Sequence, residues 1–147
     1  MSISNRIQSD TKSAMKQRDK TRLGALRMLG AALKNAEIEA GRPLTEQEEQ
    51  TILRRQLKQR DESAQAFRKA GRDERAASES AEAEIVSTYL PEPLSQTELE
   101  QLIDRAIDET GAKTMKDMGT VMNRAMELSG SRAEGRTLSA LVRTRLQ

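Results

Sequence analysis

The 147-residue chain contains no cysteine and no histidine. Without thiols there are no disulfides, no thiolate metal sites and no cysteine nucleophile, a pattern suited to a reducing cytoplasm, where the protein is expected to reside. Without imidazole there is no histidine base, no serine triad and no histidine-ligated zinc. Aromatic residues make up 1% of the chain and tryptophan is missing, so single-stranded bases have no stacking platform. No apolar run approaches the roughly 20 residues that cross a bilayer. The start, MSISNRIQSD, lacks the apolar segment of a signal peptide. Neither a membrane partner nor secretion is expected.

Hydrophobic residues at 35% and charged residues at 33% imply amphipathic helices whose narrow stripe is Leu, Ile, Met and Ala, over a thin core. A net charge of +2 is too close to neutral to announce nucleic acid by itself.

Periodicity and caps predict an all-α fold with a four-helix N-terminal domain and a smaller three-helix C-terminal domain. Ile3, Ile7 and Ala14 share one face of a first helix. Asp19 caps a second, which carries Leu23, Leu26, Leu29, Leu33 and Ala36 and stops at Gly41 before Pro43. Thr45 and Glu48 have capping-box spacing and open a third helix with Ile52, Leu53, Leu57, Ala64 and Phe67 inward, ended by Gly71. A fourth, rich in Ala and Glu, runs from Asp73 to Tyr89. Pro91 and Pro93 then deny two backbone donors and push their predecessors out of helical angles. The expected division is a domain over 1–90, a linker over 91–95 and a domain over 96–147. In the second domain Ser95 and Glu98 form another capping box, ahead of Leu99, Leu102, Ile103, Ala106 and Ile107 and a stop at Gly111. A sixth helix holds Met115, Met118, Val121, Met122, Ala125 and Met126. The seventh, after Ser129-Gly130-Ser131, holds Leu138, Leu141, Val142 and Leu146.

Most conspicuous side chains have ordinary readings. The methionines at 115, 118, 122 and 126 suit a flexible binding stripe, but their helical spacing favours core packing. Glu46, Glu48, Glu49, Glu79, Glu82 and Glu84 fall in first turns or on solvated faces, serving the helix dipole or pairing with nearby Arg and Lys rather than acid–base chemistry. Arg54, Arg55, Lys58, Arg60, Arg68 and Lys69 on the third helix read as a solvated surface. No GxSxG, SxxK or GxxxxGK motif occurs. No catalytic residue, metal or cofactor is expected.

The C-terminal charge distribution is uneven. Residues 91–112 hold six acidic residues and one arginine, net −5, whereas 113–147 hold seven basic and three acidic residues, net +4. Lys113, Lys116, Arg124, Arg132, Arg136, Arg143 and Arg145 are the candidate phosphate-contacting set.

Several stretches together resemble the GatB/YqeY family. They are Leu26-Arg27-Met28-Leu29, Asn35 to Glu39, Lys58-Gln59-Arg60-Asp61-Glu62-Ser63, Ala70-Gly71-Arg72, and Glu79 and Glu82 leading through Ile85 into Tyr89-Leu90-Pro91. Lys116-Asp117-Met118-Gly119, Val121-Met122 and Gly130 to Gly135 continue the match, in the same order, over nearly the whole chain. The resemblance implies a stand-alone protein similar to the helical tail of the B subunit of the tRNA-dependent amidotransferase. That tail contacts tRNA and is not the catalytic core. Members are filed under carbon–nitrogen ligation with glutamine as amide donor, although the kinase-like and amidase parts lie elsewhere, so the chain is not expected to be an enzyme on its own. Glu134 departs from the family's more usual Asp, and capping is expected to pass to Ser131 or the last helix to start elsewhere. The expected function is a non-catalytic module contacting tRNA or another RNA. The alternative is docking on an amidotransferase subunit or another protein. DNA is not an expected partner.

Overall fold

The computed structural model describes residues 2–130 and 132–147, which form seven α-helices, one short 3-10 turn and no strand. The helices are α1 (Ile3–Gln17), α2 (Lys20–Ala40), α3 (Glu46–Lys69), α4 (Asp73–Ser87), α5 (Gln96–Thr110), α6 (Met118–Ser129) and α7 (Gly135–Leu146). The chain divides into two compact units, 1–91 and 92–147. The all-α expectation holds among the described residues, because each apolar stripe recurs at the helical period and strong signals close the ends.

In the first unit Asp19 accepts the Arg22 backbone N–H at 3.2 Å and so starts α2. Gly41 ends it with φ of 71°, a left-handed angle that glycine adopts without a Cβ clash. Thr45 and Glu48 form the reciprocal capping box at α3, and Arg42 donates to both Glu48 oxygens, at 2.7 and 3.1 Å. The Arg42 hydrogen bonds, followed by the N–H of Thr45, hold the Glu48 carboxyl down to about 2.

Helix α4 stops at Ser87 rather than at Tyr89. Thr88, Tyr89 and Leu90 donate instead to the carbonyls three residues back, at 3.1 to 3.2 Å. That tighter turn lets Leu90 leave helical angles ahead of Pro91. Ile7, Leu26, Leu29, Leu53 and Val86 form the fully enclosed centre of this unit, with Tyr89 at its edge.

Burial of the second unit centres on Ile103, Ala106, Val121, Ala125, Leu138 and Val142, drawn from α5, α6 and α7. Residues Met115–Asp117 form a 3-10 turn ahead of α6 rather than its first turn. The cause is Asp117, whose carboxylate accepts the N–H groups of Lys113 and Thr114 at 3.0 and 3.3 Å, tightening the chain. Those two bonds hold its carboxyl below the usual range. The methionines consequently divide. Met118 and Met122 pack against the core, whereas Met115 is 40% and Met126 51% exposed.

Candidate nucleic-acid interface in the second unit

Helix α5 buries Leu99, Ile103 and Ala106 and turns its acidic residues, Glu98, Glu100, Asp104, Asp108 and Glu109, to solvent. Several of those carboxylates meet arginines of the candidate set. Arg124 on α6 donates through Nε to Glu109 at 2.5 Å and through Nη1 to Glu127 at 3.0 Å. Glu109 also accepts from Arg105 at 2.8 Å. Its hydrogen bonds from Arg124 and then Arg105 hold its carboxyl below the ordinary value. The bond to Glu109, and then that to Glu127, raise Arg124 above its ordinary value.

Arg145, at the end of α7, donates to Asp104. Arg132 lies 3.6 Å from Glu98 and donates through Nε to the Glu92 carbonyl at 2.8 Å. Its own carbonyl accepts the Leu94 N–H at 3.0 Å. Arg132 thus fastens residues 92–94, read from sequence as linker, onto the second unit. Pro91 is held within the first unit by Arg54, whose guanidinium reaches its carbonyl at 3.5 Å.

Lys113, Lys116, Arg136 and Arg143 are exposed and make no ion pair among the described residues. Lys113 and Lys116 lie in and beside the 3-10 turn. Arg136 and Arg143 are seven residues apart on α7, about two turns, and occupy the side opposite Leu138 and Val142. Of the seven candidates, the structure ties three to acidic residues of α5 and leaves four uncommitted. Ser131 lies outside the described residues. Glu134 occupies the cap position of α7 and makes no side-chain capping bond, and the helix begins at Gly135.

Two roles in the first unit escape sequence reading. Glu49 is only 3% exposed, and its Oε2 accepts both the backbone N–H of Ser4 at 2.8 Å and its hydroxyl at 2.7 Å. It therefore satisfies the start of α1 from a different helix. Arg60, read as solvated, is 20% exposed and lies 3.4 Å from Glu79 and 3.5 Å from Glu82, with Met28 Sδ also at 3.4 Å. Its position opposite α4 depends on how α3 and α4 pack, which spacing along one helix does not reveal. Tyr89 donates to Asp10 at 2.5 Å beneath the Arg6 guanidinium, 5.1 Å from the ring centre. Burial, and then the bond to Asp10, push its hydroxyl up to about 12. Among the described residues no three His, Cys, Asp or Glu side chains are grouped to hold a metal ion.

Comparison with known proteins agrees with the sequence resemblance. The chain is 28% identical over 132 residues to the altered inheritance of mitochondria protein 41, mitochondrial, of Pyrenophora tritici-repentis, a match covering 87% of this chain and 71% of that protein. The model of the family described as Yqey-like protein matches residues 4–146, nearly the entire length, and the chain therefore belongs to the Yqey-like protein family.

Proposed function

We propose that this chain is a non-catalytic helical module that contacts tRNA or another RNA through phosphates, in keeping with a family whose resemblance extends to the amidotransferase tail. The observation that carries the reading is the uncommitted set Lys113, Lys116, Arg136 and Arg143. Arg124, Arg132 and Arg145 leave the proposed contact set, since an arginine already bonded to a carboxylate offers a phosphate little free charge. Titration of labelled tRNA at two salt concentrations tests the proposal. Binding should strengthen as salt falls, because phosphate contact releases counterions. The double variant Arg136→Glu, Arg143→Glu should weaken it. No binding even at low salt removes the reading.

A second reading, docking on an amidotransferase subunit or another protein, draws on Met115 in the 3-10 turn and Met126 on α6, which expose flexible apolar side chains. Capture of a protein from nuclease-treated extract by the intact chain, lost in Met126→Glu, favours it over RNA. The mitochondrial name belongs to the relative. For this chain the reducing cytoplasm is the proposed location, which cell fractionation checks. Among the described residues no helix is long and apolar enough to cross a membrane.

A further inference from the structure

A second group of unpaired cations lies elsewhere, on α1 and α2. Residues 1–40, to the end of α2, hold eight basic and four acidic residues, net +4, with Glu37 and Glu39 in the last turn and only Asp10 and Asp19 before them. The earlier two have structural tasks: Asp10 accepts the Tyr89 hydroxyl and Asp19 caps α2. None of the ion pairs among the described residues involves residues 2–36. Arg6 covers the Tyr89 ring and Arg22 is half-buried, which leaves Lys12, Lys16, Arg18, Lys20, Arg27 and Lys34 exposed.

Three of these are arranged in a row. Lys20, Arg27 and Lys34 recur every seven residues on α2, so they fall on one side, opposite Leu26, Leu29 and Leu33. At about 1.5 Å per residue the cations stand roughly 10.5 Å apart over some 21 Å. Between them lie Gly24 and Ala31, both exposed, on one flank, and half-buried Leu23 and Gly30 on the flank toward the core. A Cβ built at Gly24 meets nothing within 4 Å, and its φ is not left-handed. Neither packing nor backbone geometry calls for glycine there, inside a helix that glycine weakens. The missing side chain leaves the helix surface there open to close approach of a partner.

We propose that the outer face of α2, with Lys20, Arg27 and Lys34 flanking Gly24 and Ala31, is a docking surface for the phosphodiester backbone of a nucleic acid. A rigid row of separated cations with short side chains on its exposed flank suits phosphate groups spaced along a strand. An anionic membrane is disfavoured, because Leu23 beside the row packs against the core and the one exposed large apolar side chain on α2, Ile38 a turn beyond Lys34, falls well short of the broad apolar face that interfacial helices insert. This surface is distinct from the Arg136 and Arg143 face of α7, and each can fail without the other.

The test compares three full-length proteins, wild type, Lys20→Glu/Arg27→Glu/Lys34→Glu and Arg136→Glu/Arg143→Glu, for binding of labelled bulk tRNA at low and moderate salt. Circular dichroism confirms that each is folded. The α2 variant should lose about tenfold or more in low-salt affinity and show a shallower salt dependence, by about one in log–log slope per contact removed. If it is unfolded, the neutral variant Lys20→Gln/Arg27→Gln/Lys34→Gln replaces it, with the same loss expected. Wild-type affinity in the folded α2 variant overturns this inference, whatever the α7 variant does. A loss confined to the α2 variant supports it and removes the α7 reading. Binding of wild type to phosphatidylserine-containing vesicles with none to tRNA also overturns it. Gly24→Ala should raise the melting temperature while weakening tRNA binding. A gain in stability with unchanged binding overturns the close-approach part.

Discussion

The α1–α2 hairpin and the second unit are both rich in Lys and Arg, and they differ in where their carboxylates lie. In the second unit the acidic helix α5 packs beside the basic segments, and Glu98, Asp104 and Glu109 each meet an arginine. In the hairpin Asp10 and Asp19 are occupied by a tyrosine hydroxyl and a helix cap, and Glu37 and Glu39, in the last turn of α2, enter no ion pair among the described residues. Local net charge is thus a poor guide to available charge. A cation paired within the fold must surrender a carboxylate before it can meet a phosphate, whereas an unpaired one surrenders only water and counterions.

The units can also be compared through their cores, where the largest effects are expected. Leu26 and Leu138 are both completely enclosed, one in each unit. Truncating either to alanine should cost about 2–5 kcal/mol, through lost burial and the cavity left behind. Urea titration followed by circular dichroism measures the two losses. A cost below about 1 kcal/mol at either site would mean that its surroundings collapse to fill the space.

The next prediction concerns a feature confined to the first unit. Tyr89 is the only tyrosine and the chain has no tryptophan, so phenolate absorption reports this one group. Its folded pKa of about 12 exceeds the ordinary 10. The protonated hydroxyl therefore contributes stability that is fully present below pH 10 and lost as pH rises toward 12. Alkaline titration should show a midpoint near 12 in the folded chain, and near 10 in the Asp10→Ala variant unfolded in urea. A folded midpoint near 10 would show that the hydroxyl is neither buried nor bonded to Asp10.

The smallest effect bears most directly on the charge comparison. Replacing Asp104 with Asn and Glu109 with Gln releases Arg145 and Arg105 and leaves Arg124 paired with Glu127 alone, bringing the second unit closer to the hairpin. Stability should change little, as is usual for exposed pairs. If the chain binds RNA, the salt slope should steepen by about one for each cation that gains a phosphate. An unchanged slope would place those arginines away from any bound RNA.

Five helix boundaries were legible because each is written in neighbouring residues: Asp19 before Arg22, Thr45 with Glu48, Ser95 with Glu98, and glycines at 41 and 111. The 3-10 turn at Met115 was not, since Thr114 and Asp117 compete with the helical pattern of the methionines over the same few residues. The hairpin charge was visible in composition but meant little until Asp10 and Asp19 were seen to be occupied. Arg60 and Glu49 were misplaced because their partners come from other helices, 19 and 22 positions away for Glu79 and Glu82 and 45 for Ser4.

Sequence alone determined the all-α class, the caps of α2, α3 and α5, and most of each apolar stripe, since these depend on contacts within about four residues along the chain. Tertiary structure decided which charges remain available. Pairing between Arg145 and Asp104, or between Tyr89 and Asp10, joins residues 41 and 79 positions apart. Whether such groups meet depends on the packing of whole helices, and no periodicity within one helix encodes that.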